Sequence, residues 1–107
     1  MKTFSLKKGA TYIHEVELVY DDGTPMPLPG GTGSASLVEQ PGGPEVEAFD
    51  VDVSNIASGF VRLELQQDQT DGLGAGAYFY DLKLTDTDGT VAFTETFQVQ
   101  VGESCTI

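Results

Sequence analysis

The sequence predicts an all-β fold in which about seven antiparallel strands form two packed sheets. Short runs of residues alternate apolar and polar side chains with a period of two, as strands with one buried face do. Turn residues, among them 13 Gly and 5 Pro, separate these runs at intervals near the ~8–12 residues that are typical of sandwiches. No run carries an apolar stripe at helical spacing. Because the chain has 107 residues, we expect a single domain over residues 1–107.

The C-terminal part of the chain predicts one long β-hairpin. The first strand, residues 77–85, places an apolar set on one face: Tyr78, Tyr80, Leu82 and Leu84. The second strand, residues 90–101, does the same with Val91, Phe93, Phe97, Val99 and Val101. Only Glu95 breaks this alternation. Asp88-Gly89 lies between the strands and is typical of a hairpin turn.

The remaining strands are predicted upstream of this hairpin. They are residues 3–7, 10–20, 33–40, 45–53 and 60–65. Residues 25–31 contain alternating prolines, which predict an extended crossover between the sheets because proline favours neither a helix nor ladder pairing. Residues 66–71 lack β-formers, and we expect a single helical turn there.

One local motif gives the sandwich a more specific character. Leu73, Gly74 and Tyr78 precede a late strand, as in the tyrosine corner of immunoglobulin-like domains, where the hydroxyl reaches back to a backbone group. Ordinary core packing of Tyr78 is the alternative interpretation. The chain has no Trp and one Cys, so the predicted fold is an immunoglobulin-like β-sandwich of the wider class without the antibody hallmarks.

The charge balance excludes two classes of partner. The chain has 17 acidic and 5 basic residues, for a formal net charge of −12. Such a field repels nucleic acid and anionic membrane surfaces, so we expect neither as a partner. No apolar run has the length of a secretory signal or a membrane span, and we therefore expect synthesis in the cytoplasm without a signal peptide.

The residue types for catalysis and metal binding are scarce. The only histidine, His14, lies mid-strand, where a packed or edge role is expected in preference to a catalytic base. The only cysteine, Cys105, reads as a free thiol near the end of the chain. Asp86 and Asp88 could begin a calcium loop, but the next strand follows at once and favours a hairpin turn. We therefore predict a non-enzymatic protein with no cofactor and no metal.

Two stretches carry a family resemblance. The first is the hairpin from Leu73 to Val101, with Gly76, Tyr78 and the Asp86–Gly89 turn; the second is the pair of early strands followed by Asp22-Gly23. Together they resemble a module of tailed bacteriophages and prophages, similar to the immunoglobulin-like N-terminal domain of phage baseplate upper proteins. The resemblance implies a structural component of the virion, in the head, neck, tail or baseplate. Its implied partners are other virion proteins and further copies of itself.

Two other functions compete with a virion role. A carbohydrate- or host-surface-binding module would use exposed aromatic residues such as Tyr20 and Phe79. A cytoplasmic bacterial domain of prophage origin would have no virion role at all.

The interface expected from the sequence combines an outward face with a loop. Phe79, Val51 and Val53 are apolar residues on nominally outward faces, and Met26 and Leu28 belong to the proline-rich crossover. The alternative is that Phe79 and Val51 cover the edges of the core.

We predict that Phe79→Asp weakens self-association without unfolding the monomer, because a carboxylate would have to be desolvated in the contact. Light scattering under native conditions measures the mass, and circular dichroism measures the fold. Loss of the folded state would contradict the assignment of Phe79 to an interface.

Overall fold

The computed structural model describes residues 2–20, 22–24 and 30–103. These residues form ten strands. The strands are β1 Thr3–Lys7, β2 Tyr12–Glu17, β3 Thr32–Val38, β4 Glu45–Ala48, β5 Asp50–Asp52, β6 Phe60–Leu65, β7 Gly76–Tyr80, β8 Leu82–Thr85, β9 Val91–Phe93 and β10 Phe97–Gly102. A 3₁₀ helix spans Ile56–Ser58, and one short α-helix, α1, spans Gln67–Asp71. The helical turn predicted for residues 66–71 is confirmed.

The strands form two sheets, which confirms the predicted β-sandwich. The small sheet has the order β2-β6-β5 and is antiparallel. In the large sheet, β7 and β8 continue each other and lie between β3 on one side and the pair β9 and β10 on the other. β4 extends this sheet beyond β3, and β1 extends it beyond β10. The β1–β10 pair is parallel, whereas we predicted antiparallel strands throughout, because side-chain alternation carries no information about strand direction.

Three of the predicted runs are interrupted, which is why ten strands replace the smaller number expected. The run over residues 45–53 changes sheet: β4 pairs with β3 of the large sheet, and β5 pairs with β6 of the small one. Phe49 lies at the crossing, where its side chain is buried and its N–H donates to the Ala35 carbonyl at 3.0 Å. One continuous alternating segment thus joins the two layers.

The long hairpin is present, but a bulge divides its second strand. Phe93 lies opposite Lys83, and Phe97 lies opposite Tyr80. Four steps along one strand therefore match three steps along the other, so one extra residue is inserted between β9 and β10. An insertion of one residue reverses the faces. As a result Phe97, Val99 and Val101 are buried, whereas Val91 and Phe93, predicted to share their face, are exposed.

The two predicted turn motifs have the expected geometry. The Tyr78 hydroxyl donates to the Gly74 carbonyl at 2.9 Å, which confirms the tyrosine corner. At the hairpin turn, the Gly89 N–H donates to the Asp86 carbonyl at 3.0 Å, and Gly89 has a φ of 88°. The tyrosine corner lies just before β7, and the hairpin turn lies just after β8. The two motifs therefore fix both ends of the β7–β8 segment in the middle of the large sheet.

A single apolar layer lies between the sheets. Its fully buried members include Leu37, Val61, Leu63, Leu65, Leu82 and Val99. In the part of the chain described above, no helix has the length and apolar character of a membrane-spanning segment.

We predict that Tyr78→Phe lowers the free energy of unfolding by about 1 kcal/mol, because it removes one hydrogen bond and leaves the Gly74 carbonyl without this donor. Urea unfolding measures the change. Tyr20→Phe is the control, because the Tyr20 ring is exposed. Equal stability of the Tyr78 variant and the wild type would show that the corner contributes packing alone.

Candidate functional site

An extended concave surface lies where an edge of the small sheet faces an edge of the large one. β2 is an edge strand of the small sheet, and β9 is an edge strand of the large sheet. Between them runs a groove of about 670 Å³, which we call the edge groove. Residues 14–20 form one side, residues 92–95 with Leu84 and Phe97 form the other, and Lys2 lies at one end.

Apolar side chains line the edge groove and are exposed to solvent. Phe93 is 63% exposed, Tyr20 is 52% exposed and Val19 is 43% exposed. At the bottom lies His14, whose ring is 4.7 Å from that of Phe4 and 4.9 Å from that of Phe97 between centroids. Monomeric proteins keep extended apolar patches mainly where something binds. This concentration of exposed apolar residues in one groove therefore marks it as a candidate binding surface.

The rim of the edge groove is negatively charged. Glu15 and Glu17 project from β2, and Glu95 lies in the bulge on the opposite side; all three are exposed. Lys2 is the one lysine or arginine among the groove residues that the structure describes. Three carboxylates against one ammonium group give the groove a negative potential, within a chain whose net charge is already −12.

A chain of hydrogen bonds runs beneath the groove and joins the sheets. The Tyr80 hydroxyl of β7 lies 2.7 Å from the Tyr12 hydroxyl and 2.9 Å from Nδ1 of His14, both on β2. Burial raises the pKa of Tyr80 and of Tyr12, so both phenols keep their protons. Burial, and then the positive charge of Lys2, lower the pKa of His14. The Tyr80 hydroxyl therefore bonds to both groups, and the tautomer of the neutral imidazole sets which group donates in each hydrogen bond.

This arrangement makes His14 a structural group. Its Nδ1 faces a phenol that stays protonated, instead of a nucleophile that it could activate. Tyr80 is only 1% exposed, so the contact is closed to a substrate. The packed role expected for His14 from the sequence agrees with this geometry.

The aspartate-rich turns bind their own backbone. Asp22 accepts the Thr24 N–H at 3.0 Å, Asp52 accepts the Ser54 N–H at 2.8 Å, and Asp88 accepts the Thr90 N–H at 2.9 Å. These hydrogen bonds lower the pKa of each carboxyl. Within residues 2–20, 22–24 and 30–103, no group of three His, Cys, Asp or Glu side chains is placed to hold a metal ion.

The structure places the predicted interface residues in different regions. Phe79 is half-buried and, together with Lys83 and Phe93, lines a hollow of about 260 Å³ on the outer face of the large sheet. Val51 and Val53 are half-buried and pack against the core. Met26 and Leu28 lie outside the described residues. The use of these residues as an interface stays a prediction.

Sequence reasoning missed the edge groove. Phe93 was expected on the buried face of the hairpin, and it is exposed because the bulge reverses the alternation. The break at Glu95 was the available signal. A polar residue that interrupts a period of two is where an inserted residue is expected.

Comparisons with known proteins identify a fold relative. No protein-family model matches the chain, and no curated protein matches it. Among solved structures, the crystal structure of CopC from Methylosinus trichosporium OB3b is similar, with a TM-score of 0.56 and 11% sequence identity. The similarity covers 100% of this chain and 90% of that chain. At this identity the likeness shows the fold alone: this chain has a CopC-like β-sandwich.

The comparisons correct the family resemblance inferred from the sequence. The assignment to phage virion proteins is wrong, since a solved structure that matches over the full length of the chain is CopC. The virion structural role, the carbohydrate- or host-surface-binding alternative and the virion location are corrected with it. The residues that carried the resemblance are Asp-Gly turns and alternating core positions, which unrelated sandwiches share.

We predict that the free energy of unfolding falls as the pH drops below about 6.5, the ordinary pKa of histidine. Folding lowers the pKa of His14, so between the two values the unfolded chain binds more protons than the folded one. His14→Phe, which keeps an aromatic ring against Phe4 and Phe97, should remove this slope.

Urea unfolding between about pH 5 and pH 8 measures the effect, because other side chains titrate mainly outside this range. The carboxyls of Asp22, Asp52 and Asp88 do not contribute there, since their pKa values lie below 3.8. An unchanged slope in His14→Phe would contradict the prediction.

Proposed function

We propose that this protein is a non-catalytic binding domain that holds a segment of another protein in the edge groove. The observation that carries the proposal is the exposed apolar surface of that groove, with Phe93 at 63% and Tyr20 at 52% exposure. Phe93 is the last residue of β9, beside the hairpin bulge, and Tyr20 begins a turn in which its N–H donates to the Thr24 carbonyl at 2.8 Å. They are therefore held by the fold without being covered by it.

The shape of the groove favours a polypeptide over a small molecule. Small-molecule sites are clefts that bury most of the ligand surface. The edge groove instead runs between two strand edges and exposes its largest aromatic side chains. Strand edges and alternating pockets are the features that bind extended peptide segments in many domains.

The CopC-like fold shows the arrangement of the strands alone, and it does not bring copper binding with it. Copper sites are built from imidazole nitrogen, from thiolate or thioether sulfur and, for Cu(II), from nitrogen together with oxygen ligands. Among the described residues, no group of three His, Cys, Asp or Glu side chains is placed to hold a metal ion. The chain has one His, and its Nδ1 contacts the Tyr80 hydroxyl. Met1, Met26 and Cys105 lie outside the described residues. The residues that the structure describes therefore do not fit a copper site, and a fold hosts different sites in different proteins.

We predict that peptides selected for binding from a surface-displayed random library lose about tenfold or more in affinity for the Phe93→Asp variant, because a central aromatic contact is removed. Val46→Asp is the matched control. Val46 is 40% exposed and lies on β4, on the far side of the large sheet from the edge groove. Circular dichroism checks that both variants fold.

Two outcomes would overturn the proposal. The first is a selection that enriches no peptide, or enriches peptides that bind Phe93→Asp as well as the wild type. The second is a stoichiometric, tight Cu(II) site in calorimetric titration, which would move the function to metal binding.

A further inference from the structure

We infer that the segment held in the edge groove is extended, alternates apolar with Lys or Arg residues, and pairs through its main chain with β2. This inference rests on the proposed function and specifies the chemistry of the partner. It follows from the backbone register of β2, from the two faces of that strand, and from the charges along the groove.

The register shows which backbone groups of β2 face outward. The Leu18 N–H donates to the Gly59 carbonyl at 2.6 Å, and β2 pairs with β6 in the same register, with Val16 opposite Val61 and His14 opposite Leu63. Hydrogen-bonded positions alternate in an antiparallel pair. The N–H and C=O groups of Ile13, Glu15 and Glu17 therefore point away from β6, and β6 is the partner of β2 in the described part of the chain.

β9 has a smaller free edge. The Thr94 N–H donates to the Leu82 carbonyl at 3.0 Å, so Ala92 bonds to β8 by the same alternation, and Val91 and Phe93 present their backbone groups outward. β9 has three residues, whereas β2 has six. A strand of six residues is about 20 Å long. β2 is thus the longer template, and Ala92 of β9 with Leu84 and Phe97 supplies the apolar wall opposite it.

The side chains of β2 divide by face. His14 and Val16 point inward, and Ile13, Glu15 and Glu17 are exposed on the outer face. An added strand continues this division because side chains of paired strands share faces. Residues opposite His14 and Val16 would point between the sheets, over Leu84, Ala92 and Phe97, which requires apolar side chains. Residues opposite Glu15 and Glu17 would lie in water beside carboxylates, which favours Lys or Arg.

The same charges argue against a second copy of this chain as the occupant. If β2 paired with β2 of another molecule, Glu15 and Glu17 of both chains would lie on one face. Like charges on facing strands destabilise the pairing. Each chain also brings a net charge of −12. A basic segment removes this repulsion and gains attraction to Glu95 across the groove.

The test uses a soluble, dye-labelled peptide of about eight residues in which Val and Lys alternate, matched in length to β2. Three control peptides separate the components of binding. One has the same composition with Val and Lys in blocks, one alternates Val with Glu, and one is the Val-Lys peptide with alternate backbone amides methylated. Fluorescence anisotropy measures affinity at low and high salt.

We expect the alternating Val-Lys peptide to bind the wild type, and each control to bind about tenfold or more weakly, because each lacks one component of the contact. The Glu15→Lys/Glu17→Lys variant should lose about tenfold in affinity and most of the salt dependence. The variant Glu39→Lys/Glu45→Lys is the matched control, since both side chains are exposed near β4. Amide hydrogen exchange should slow at Ile13, Glu15 and Glu17 when the peptide binds.

Several results would overturn this inference. Equal binding of the methylated peptide would exclude main-chain pairing, and equal losses in both charge variants would show attraction to net charge alone. Protection of Val91 and Phe93 without β2 would move the pairing to β9, and a doubled mass without peptide would make a second copy the occupant. If library-selected peptides bind and the Val-Lys peptide does not, this inference fails while the proposed function stands. If neither binds, the proposed function fails too.

Discussion

The contact on which the two layers depend is the buried hydroxyl of Tyr80. Tyr80 is the last residue of β7, in the middle of the large sheet, and its hydroxyl contacts two groups of β2, the Tyr12 hydroxyl and the His14 imidazole. A buried hydroxyl without a partner costs about 1–3 kcal/mol, so the small sheet is held where these partners reach it. Phe49, where the chain changes sheet, packs against the Tyr80 ring at 4.8 Å between centroids. The layers are thus fixed by directional contacts as well as by apolar burial.

Fixing β2 in this way leaves its outer edge without a strand partner among the residues that the structure describes. β1 begins at Thr3 and pairs with β10. It therefore extends the β10 half of the large sheet and does not run along β9. The bulge then turns Phe93 out of the core. The edge groove is therefore a consequence of where the sandwich stops pairing, and part of its walls belongs to strands β2 and β9. Sites built on such elements are held more accurately than sites on loops.

Much of this architecture could be predicted from side-chain alternation, because burial of one face leaves a period of two in the sequence. Strands β1 and β6, the tyrosine corner and the Asp86–Gly89 turn follow from such local rules. The parallel pairing of β1 does not, since alternation is the same for either direction. The exposure of Phe93 depends on one inserted residue, whose only trace was Glu95. The groove was missed because it arises from two strands that are distant in sequence and share no motif.

The fold class predicted from the sequence was confirmed and the family assignment was wrong, and both outcomes have one physical cause. Turn glycines, aspartates and core aromatics are imposed by the sandwich itself, so they recur wherever the sandwich does. For the same reason, the similarity to CopC at 11% identity shows the fold and no function. It shows how the strands are arranged, and it does not show which functional residues they carry. What distinguishes this chain is the set of residues that the fold does not require: an exposed Phe93 and Tyr20, and carboxylates placed along an edge that no other described strand pairs with. The side chains of these residues contribute to neither the core nor the turns, and the proposed function therefore rests on them.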